Sequence, residues 1–350
     1  MSQADLSPLK RFWRLIKPDQ KEIKNVYIYA IFNGLVTLSL PLGIQSIINL
    51  IQGGQMSTSW IILVSVVILG VIATGFLQIQ QLKISESLQQ KIFTRAAFEF
   101  TYRLPRIKAT ALYKHYAPEL MNRFFDVVAI QKGMSKILMD FSTASIQTLF
   151  GLLLLSLYHP FFIAFSLVLV ALIYFIFRLT AQRGLDTSLI ESKRKYAVAH
   201  WLEEVSRTVN SFKLAGDTDL PLEKTNEAVK GYIDTRDSHF KVLVNQYSLM
   251  VIFKVLVTAG LLIVGSILVM EQQMNIGQFV ASEIIIILVL ASVEKLILSM
   301  ETIYDVLASI EKIGNVTDLP LESDSGEQIT DNSEAGLAVH IENLTYTYSA

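Results

Sequence analysis

Residues 60–105 read WIILVSVVILGVIATGFLQIQQLKISESLQQKIFTRAAFEFTYRLP, and the change of character within this stretch decides the fold. Trp60 to Leu77 carries no charge and, at about 1.5 Å per helical residue, nearly crosses a hydrocarbon layer roughly 30 Å thick. Past Gln78 the apolar residues thin to Ile84, Leu88, Ile92 and Phe93, at helical spacing and interleaved with charge, until Pro105 ends the run. One helix therefore spans a membrane and continues for tens of ångströms outside it.

The whole chain has the composition this requires. Its 350 residues are 52% hydrophobic and 17% charged, with a mean hydropathy of +0.44, which excludes an ordinary soluble domain. Five further runs are long enough to span: Val26 to Ile51, Ile137 to Tyr158, Phe161 to Phe177, Tyr247 to Met270 and Ile276 to Met300. The connections alternate. Gln52 to Ser59, His159 to Pro160 and Glu271 to Asn275 are short, whereas Gln78 to Lys136 and Arg178 to Gln246 are long and rich in helix formers. None of the 30 Lys and Arg residues falls in a short connection, so the long side, with both termini, is read as cytoplasmic. The expected fold is an all-α membrane protein of six transmembrane helices with long cytoplasmic extensions.

A net charge of -1 offers no surplus for nucleic acid, and the absence of Cys together with five scattered His argues against a disulfide framework, a thiol nucleophile or a zinc site. Residues 1–25 form an amino-terminal elbow in which Leu9, Phe12, Trp13 and Ile16 share one helical face and Lys10, Arg11, Arg14 and Lys17 the other. Two readings stay open for it, a helix lying in the membrane interface and one packed on a cytosolic neighbour. Residues 26–315 make the membrane domain and residues 316–336 an acidic linker, in which Asp318 to Gly336 holds six acidic residues and three Ser. In residues 337–350, Leu337 to Tyr348 alternates like a strand, as though a second domain begins there.

Four local runs, in this order, resemble the membrane domain of an ABC exporter. Glu203-Glu204-Val205 through Phe212-Lys213-Leu214-Ala215-Gly216 resembles the second cytoplasmic turn, and Asn275-Ile276-Gly277-Gln278-Phe279-Val280-Ala281 the start of the sixth helix. Ala308-Ser309-Ile310-Glu311-Lys312-Ile313 with Asp318-Leu319-Pro320 is similar to the exit into the linker, and the terminal segment to the first strand of the ATP-binding domain. The resemblance implies that Thr208, Val209, Asn210, Ser211, Phe212, Lys213 and Leu214 form a coupling helix, and that Tyr348, or Tyr346 in the other register, stacks on adenine. It also implies ATP and Mg2+ as cofactors held mainly by a domain beyond this stretch, a second copy or paralogous half-transporter as partner, and residence in the plasma membrane. The first cytoplasmic turn departs from the family: Pro118 stands where Gly is usual, and its coupling helix is placed only within Ala109 to Tyr116. No G-x-x-x-x-G-K-[ST] occurs; Gly70 and Gly75 have the spacing, but Phe76 follows. No catalytic residue is therefore assigned, and residues 1–350 are not expected to hydrolyse ATP alone.

Charges within spans are costly and usually face a cavity or a partner. The candidates for a translocation path are Lys254, Glu283, Glu294 and Lys295. Lys254 and Glu294 lie at matching depth from the outer hairpin, which predicts an ion pair within one subunit or across a dimer, or else two side chains reaching the interface separately. Glu283 lies nearer the outer end, to contact substrate or to be hydrated. The expected function is ATP-driven export of an unidentified substrate. Its rivals are a signalling or scaffolding membrane domain and an ion-driven transporter, for which broken midmembrane helices would speak; Pro41 is the main candidate breaker.

Overall fold

The computed structural model of the chain describes residues 7–54, 58–113, 117–323 and 339–345. The described residues form α1 (Pro8–Ile16), α2 (Gln20–Thr37), α3 (Ser39–Gln52), α4 (Thr58–Arg103), α5 (Ala109–Leu112), α6 (Ala117–Asn122), α7 (Asp126–Lys136), α8 (Ser142–Ser156), α9 (Pro160–Arg207), α10 (Val209–Ala215), α11 (Leu220–Met270) and α12 (Ile276–Thr317). Among the described residues, six helical stretches are long and apolar enough to cross a membrane. Helix α11 has 51 residues, about 77 Å at 1.5 Å each, so one hydrocarbon thickness accounts for less than half of it. The remainder is the extension the sequence announces.

Local chemistry places the boundaries. Proline occupies the first turn of α1, α9 and α11, where its missing N–H costs nothing. A reciprocal cap starts α12, with the Asn275 side chain accepting from the Gln278 amide and the Gln278 side chain from the Asn275 amide. Pro105 sits in the single 3-10 turn (Leu104–Arg106) that closes α4. The first span is divided between α2 and α3 at Leu38, because Pro41 has no N–H to return to the Thr37 carbonyl and the Leu38 amide turns back to Leu35 instead, at 3.2 Å. The third span is likewise not a uniform helix. Helix α7 of the extension leads into it through a π-turn, Ile137–Phe141, before α8.

Helix α12 is the axis of the fold. Half of its apolar window (50%) is buried, against 0% for α4, whose span presents its apolar surface outward. Two cores are strung along it. Within the spans, Leu155, Phe162, Leu169, Met250, Val257, Leu261, Ile285 and Val289 join α8, α9, α11 and α12. Within the extensions, Leu88, Ile92, Val127, Ile130, Met134, Val306 and Ile310 join α4, α7 and α12, with Phe12, Leu15 and Ile16 of α1 laid against them.

Two sequence expectations need correction. Arg11 does not lie on a free basic face: it is buried, and its guanidinium donates to Asp318 at 2.8 and 3.1 Å and to Glu311. The apolar face of α1 is split, Phe12 and Ile16 turning inward while Trp13 remains 66% exposed. The terminal segment shows no strand among its described residues, 339–345, whose Val339, Ile341 and Leu344 are exposed. An extended segment becomes a strand only beside a partner edge; the only bridge among the described residues joins Ile107 to Leu321, at the foot of α12.

Candidate translocation path and coupling elements

Lys254 on α11 and Glu294 on α12 form an ion pair of 2.5 Å within one chain, both half-buried. Of the three arrangements left open by their depth, the structure has the pair within one chain. Lys295, the next residue, is exposed. Glu283 is half-buried, and one of its carboxylate oxygens is buried with no hydrogen-bond partner among the described residues. The four candidates thus do not converge: one pair is joined, one cation points outward and one carboxylate stands apart.

On the extension side of this pair a polar chain crosses three helices. The Gln246 amide donates to Thr180 Oγ1 at 2.9 Å and to the Tyr304 hydroxyl at 2.8 Å, tying α11 to α9 and α12. Tyr304 is 2% exposed, and its ring lies directly on Gly184, where any side chain would collide with it. Two turns further, His239 Nδ1 meets Thr187 Oγ1 at 2.8 Å while its Nε2 is buried without a partner among the described residues. Burial holds the imidazole below its ordinary pKa. Arg236 completes this level, pairing with Glu191 at 3.2 Å and Glu301 at 3.8 Å.

Further out, Asp126 at the start of α7 accepts from the Tyr196 hydroxyl of α9. Asp126 is buried, which pushes its carboxyl up; the Tyr196 bond and nearby Lys195 and Lys312 work in the opposite direction. Burial and this contact push the Tyr196 phenol up as well, and burial lowers Lys312. Sequence reasoning missed this contact and the Gly184–Tyr304 contact, because no pattern within one helix announces which face meets which neighbour.

At the tip, α10 is bounded by Thr208 and by Gly216, whose φ of 71° favours glycine. It contains the predicted coupling residues, of which Val209, Asn210, Ser211, Lys213 and Leu214 are exposed, Leu214 by 89%. Trp201 fastens the hairpin beside it by donating to Thr225 Oγ1 at 3.1 Å. The first turn shows a single helical turn, Ala109–Leu112, before residues 114–116, which lie outside the described residues, and then α6. The two turns touch, since Asn122 donates to Glu203 at 3.2 Å. The foot of α12 is tied to the first turn through Lys108 N to Pro320 O at 2.9 Å and Glu322 N to Arg106 O at 2.7 Å. Tyr346 and Tyr348 lie outside the described residues.

This geometry comprises six spans, extensions far longer than the bilayer is thick, an internal ion pair and exposed tips. Among the described residues no group of His, Asp and Glu is placed to hold a metal. Comparison with curated proteins gives no match. A family model described as the ABC transporter transmembrane region matches residues 25–293, three-quarters of the chain. The chain is an integral membrane protein of the ABC transporter transmembrane family.

Proposed function

We propose that this chain is the substrate-translocating half of an ATP-driven exporter, working as a dimer with a second copy or a paralogous half, its extensions and termini in the cytoplasm of a plasma-membrane protein. The observation that carries the reading is α10: an exposed apolar tip, Val209 and Leu214, on the end of two long helices cross-tied by Trp201, Arg236 and Gln246. Such a lever transmits the closure of a docked ATP-binding domain to the spans as a rigid-body movement. ATP and Mg2+ would be held by that domain, with Tyr348, or Tyr346, stacking on adenine. Lys254 and Glu294 would line the path as a neutralised pair, Glu283 nearer the outer mouth, and Lys295 would face lipid headgroups or the partner subunit.

Residues 1–350 contain no Cys, so Ser211→Cys, in a background where any Cys outside these residues is replaced by Ser, labels α10 alone. In the full-length protein reconstituted in lipid, the distance between spin labels on the two Ser211→Cys sites should shorten when ATP, Mg2+ and vanadate are added. An unchanged distance refutes the lever. The same Cys should be unreactive to an impermeant maleimide added outside intact cells; labelling from outside refutes the orientation. For the path, Lys254→Glu and Glu294→Lys should each abolish transport and the double swap restore it. A signalling or scaffolding domain would show neither the distance change nor transport.

A further inference from the structure

A cavity of about 240 Å³ lies beneath α1, where α4, α7 and α12 meet in the extensions. Its walls are apolar, with Ile92, Phe100, Ile130, Ile310 and Ile313 among them, and its lining carries four arginines, Arg11, Arg14, Arg95 and Arg103, against two acids, Glu99 and Asp318. Three arginines are engaged: Arg11 with Asp318 and Glu311, Arg95 with Asp19 and Arg103 with Glu99. Asp19 and Glu311 do not line the cavity. Arg14 is exposed and has no ion-pair partner among the described residues.

We propose that this cavity is a binding site for an anionic, single-chain amphiphile, a medium-chain carboxylate, with its head on Arg14 and its chain among the isoleucines and Phe100. Three observations select this class. At about 240 Å³, the cavity suits one alkyl chain of medium length better than the two long chains of a diacyl lipid. Apolar walls favour the chain, and the free guanidinium favours a carboxylate, which it meets with two parallel hydrogen bonds. Ile92 lies 15 residues beyond Leu77, where the second apolar run ends, about 22 Å along the helix axis. The ligand therefore arrives from the aqueous phase on the extension side rather than from the bilayer. Its place has a consequence: α1 and the foot of α12, already joined through Arg11, both line it, so an occupant would strengthen the hold of the elbow on the helix leading into the linker.

The test uses the chain in nanodiscs of neutral phosphatidylcholine, titrated with decanoate and, separately, with decanol, while the thermal midpoint is followed. Decanoate should raise the midpoint saturably, decanol at least tenfold more weakly, and Arg14→Ala should weaken decanoate about tenfold or more. Ala96→Trp, which fills the cavity, should abolish the shift. A photoreactive decanoate analogue should label peptides within residues 92–100 and 306–318. Equal responses to decanol and decanoate, an Arg14→Ala variant that binds decanoate as the wild type does, or labelling confined to the six spans would overturn the proposal. Because Arg14 is exposed and α1 is anchored through Arg11, the Arg14→Ala and labelling readouts stand even if Ala96→Trp fails to fold.

Discussion

Replacing Gly184 by Ala adds one carbon where α9 lies against the Tyr304 ring of α12. The new Cβ would lie 2.3 Å from Tyr304 Cζ, 2.4 Å from Cε2 and 2.6 Å from the hydroxyl oxygen, all well inside van der Waals contact. The ring has no free volume to enter, being 2% exposed. It must tilt away or the helices must part. Overpacking of this kind costs about 1–3 kcal/mol. The displaced hydroxyl leaves the Gln246 amide with Thr180 alone, a buried donor half satisfied, for about another 1–3 kcal/mol. The better helix propensity of Ala returns up to about 1 kcal/mol, so the net destabilisation is about 1–5 kcal/mol. For a chain of this size about 2 °C of thermal midpoint corresponds to each kcal/mol, which predicts a fall of about 2–10 °C in detergent micelles, read by tryptophan fluorescence. Gly75→Ala is the control, since nothing lies within 4 Å of a Cβ there; it should be neutral or slightly stabilising. Tyr304→Leu in the Gly184→Ala background should recover part of the loss by removing the ring. Equal midpoints for Gly184→Ala and Gly75→Ala would refute the reasoning, as would a Tyr304→Leu that only adds to the damage.

Arg11→Ala should release α1, because it leaves the Asp318 carboxylate, 11% exposed, without its guanidinium. The expected cost is about 3–5 kcal/mol locally, seen as loss of hydrogen-exchange protection in residues 8–16, and Arg11→Lys should not restore it because a single ammonium cannot serve both acids. Lys254→Met and Glu294→Gln should each destabilise more than the double variant, since each single change leaves a half-buried charge unpaired; additive losses would show the pair to be uncoupled. The buried Asp126 carboxyl is raised above its ordinary 3.8, so the folded chain holds this proton more tightly than the unfolded one. Its contribution to stability is greatest at low pH and is lost as pH rises from 3.8 through the raised value. Asp126→Asn should flatten the thermal midpoint against pH over that window, and Tyr196→Phe should move the window upward by removing the bond that favours the carboxylate. An unchanged profile in Asp126→Asn would dismiss Asp126 as the titrating group.

The short helix of the second turn was legible only through resemblance: the likeness of Glu203 to Gly216 to a family's turn placed a helix over Thr208 to Leu214, and α10 lies at Val209–Ala215. Equal counts from the outer hairpin put Lys254 and Glu294 at one depth, since helices of fixed rise returning from a short turn keep register. Arg11 was misread for a physical reason: a helical wheel separates basic from apolar residues but is blind to acids that fold onto the basic side from 300 positions away, as Glu311 does. The broken first span was announced by Pro41, whereas the π-turn at Ile137–Phe141 has no Pro or Gly to mark it.

The sequence by itself determined the number of spans, their boundaries and the extensions, because burial in hydrocarbon depends on runs of residue type, and caps and prolines act within a few positions of themselves. Only the tertiary structure decided that α12 is the axis, that Tyr304 rests on Gly184 and closes on Gln246, and that Arg11 locks the elbow to the foot of α12. Those contacts depend on how each helix is rotated about its axis and which neighbour it meets. That is settled by the joint packing of all the helices, which no single stretch of chain encodes.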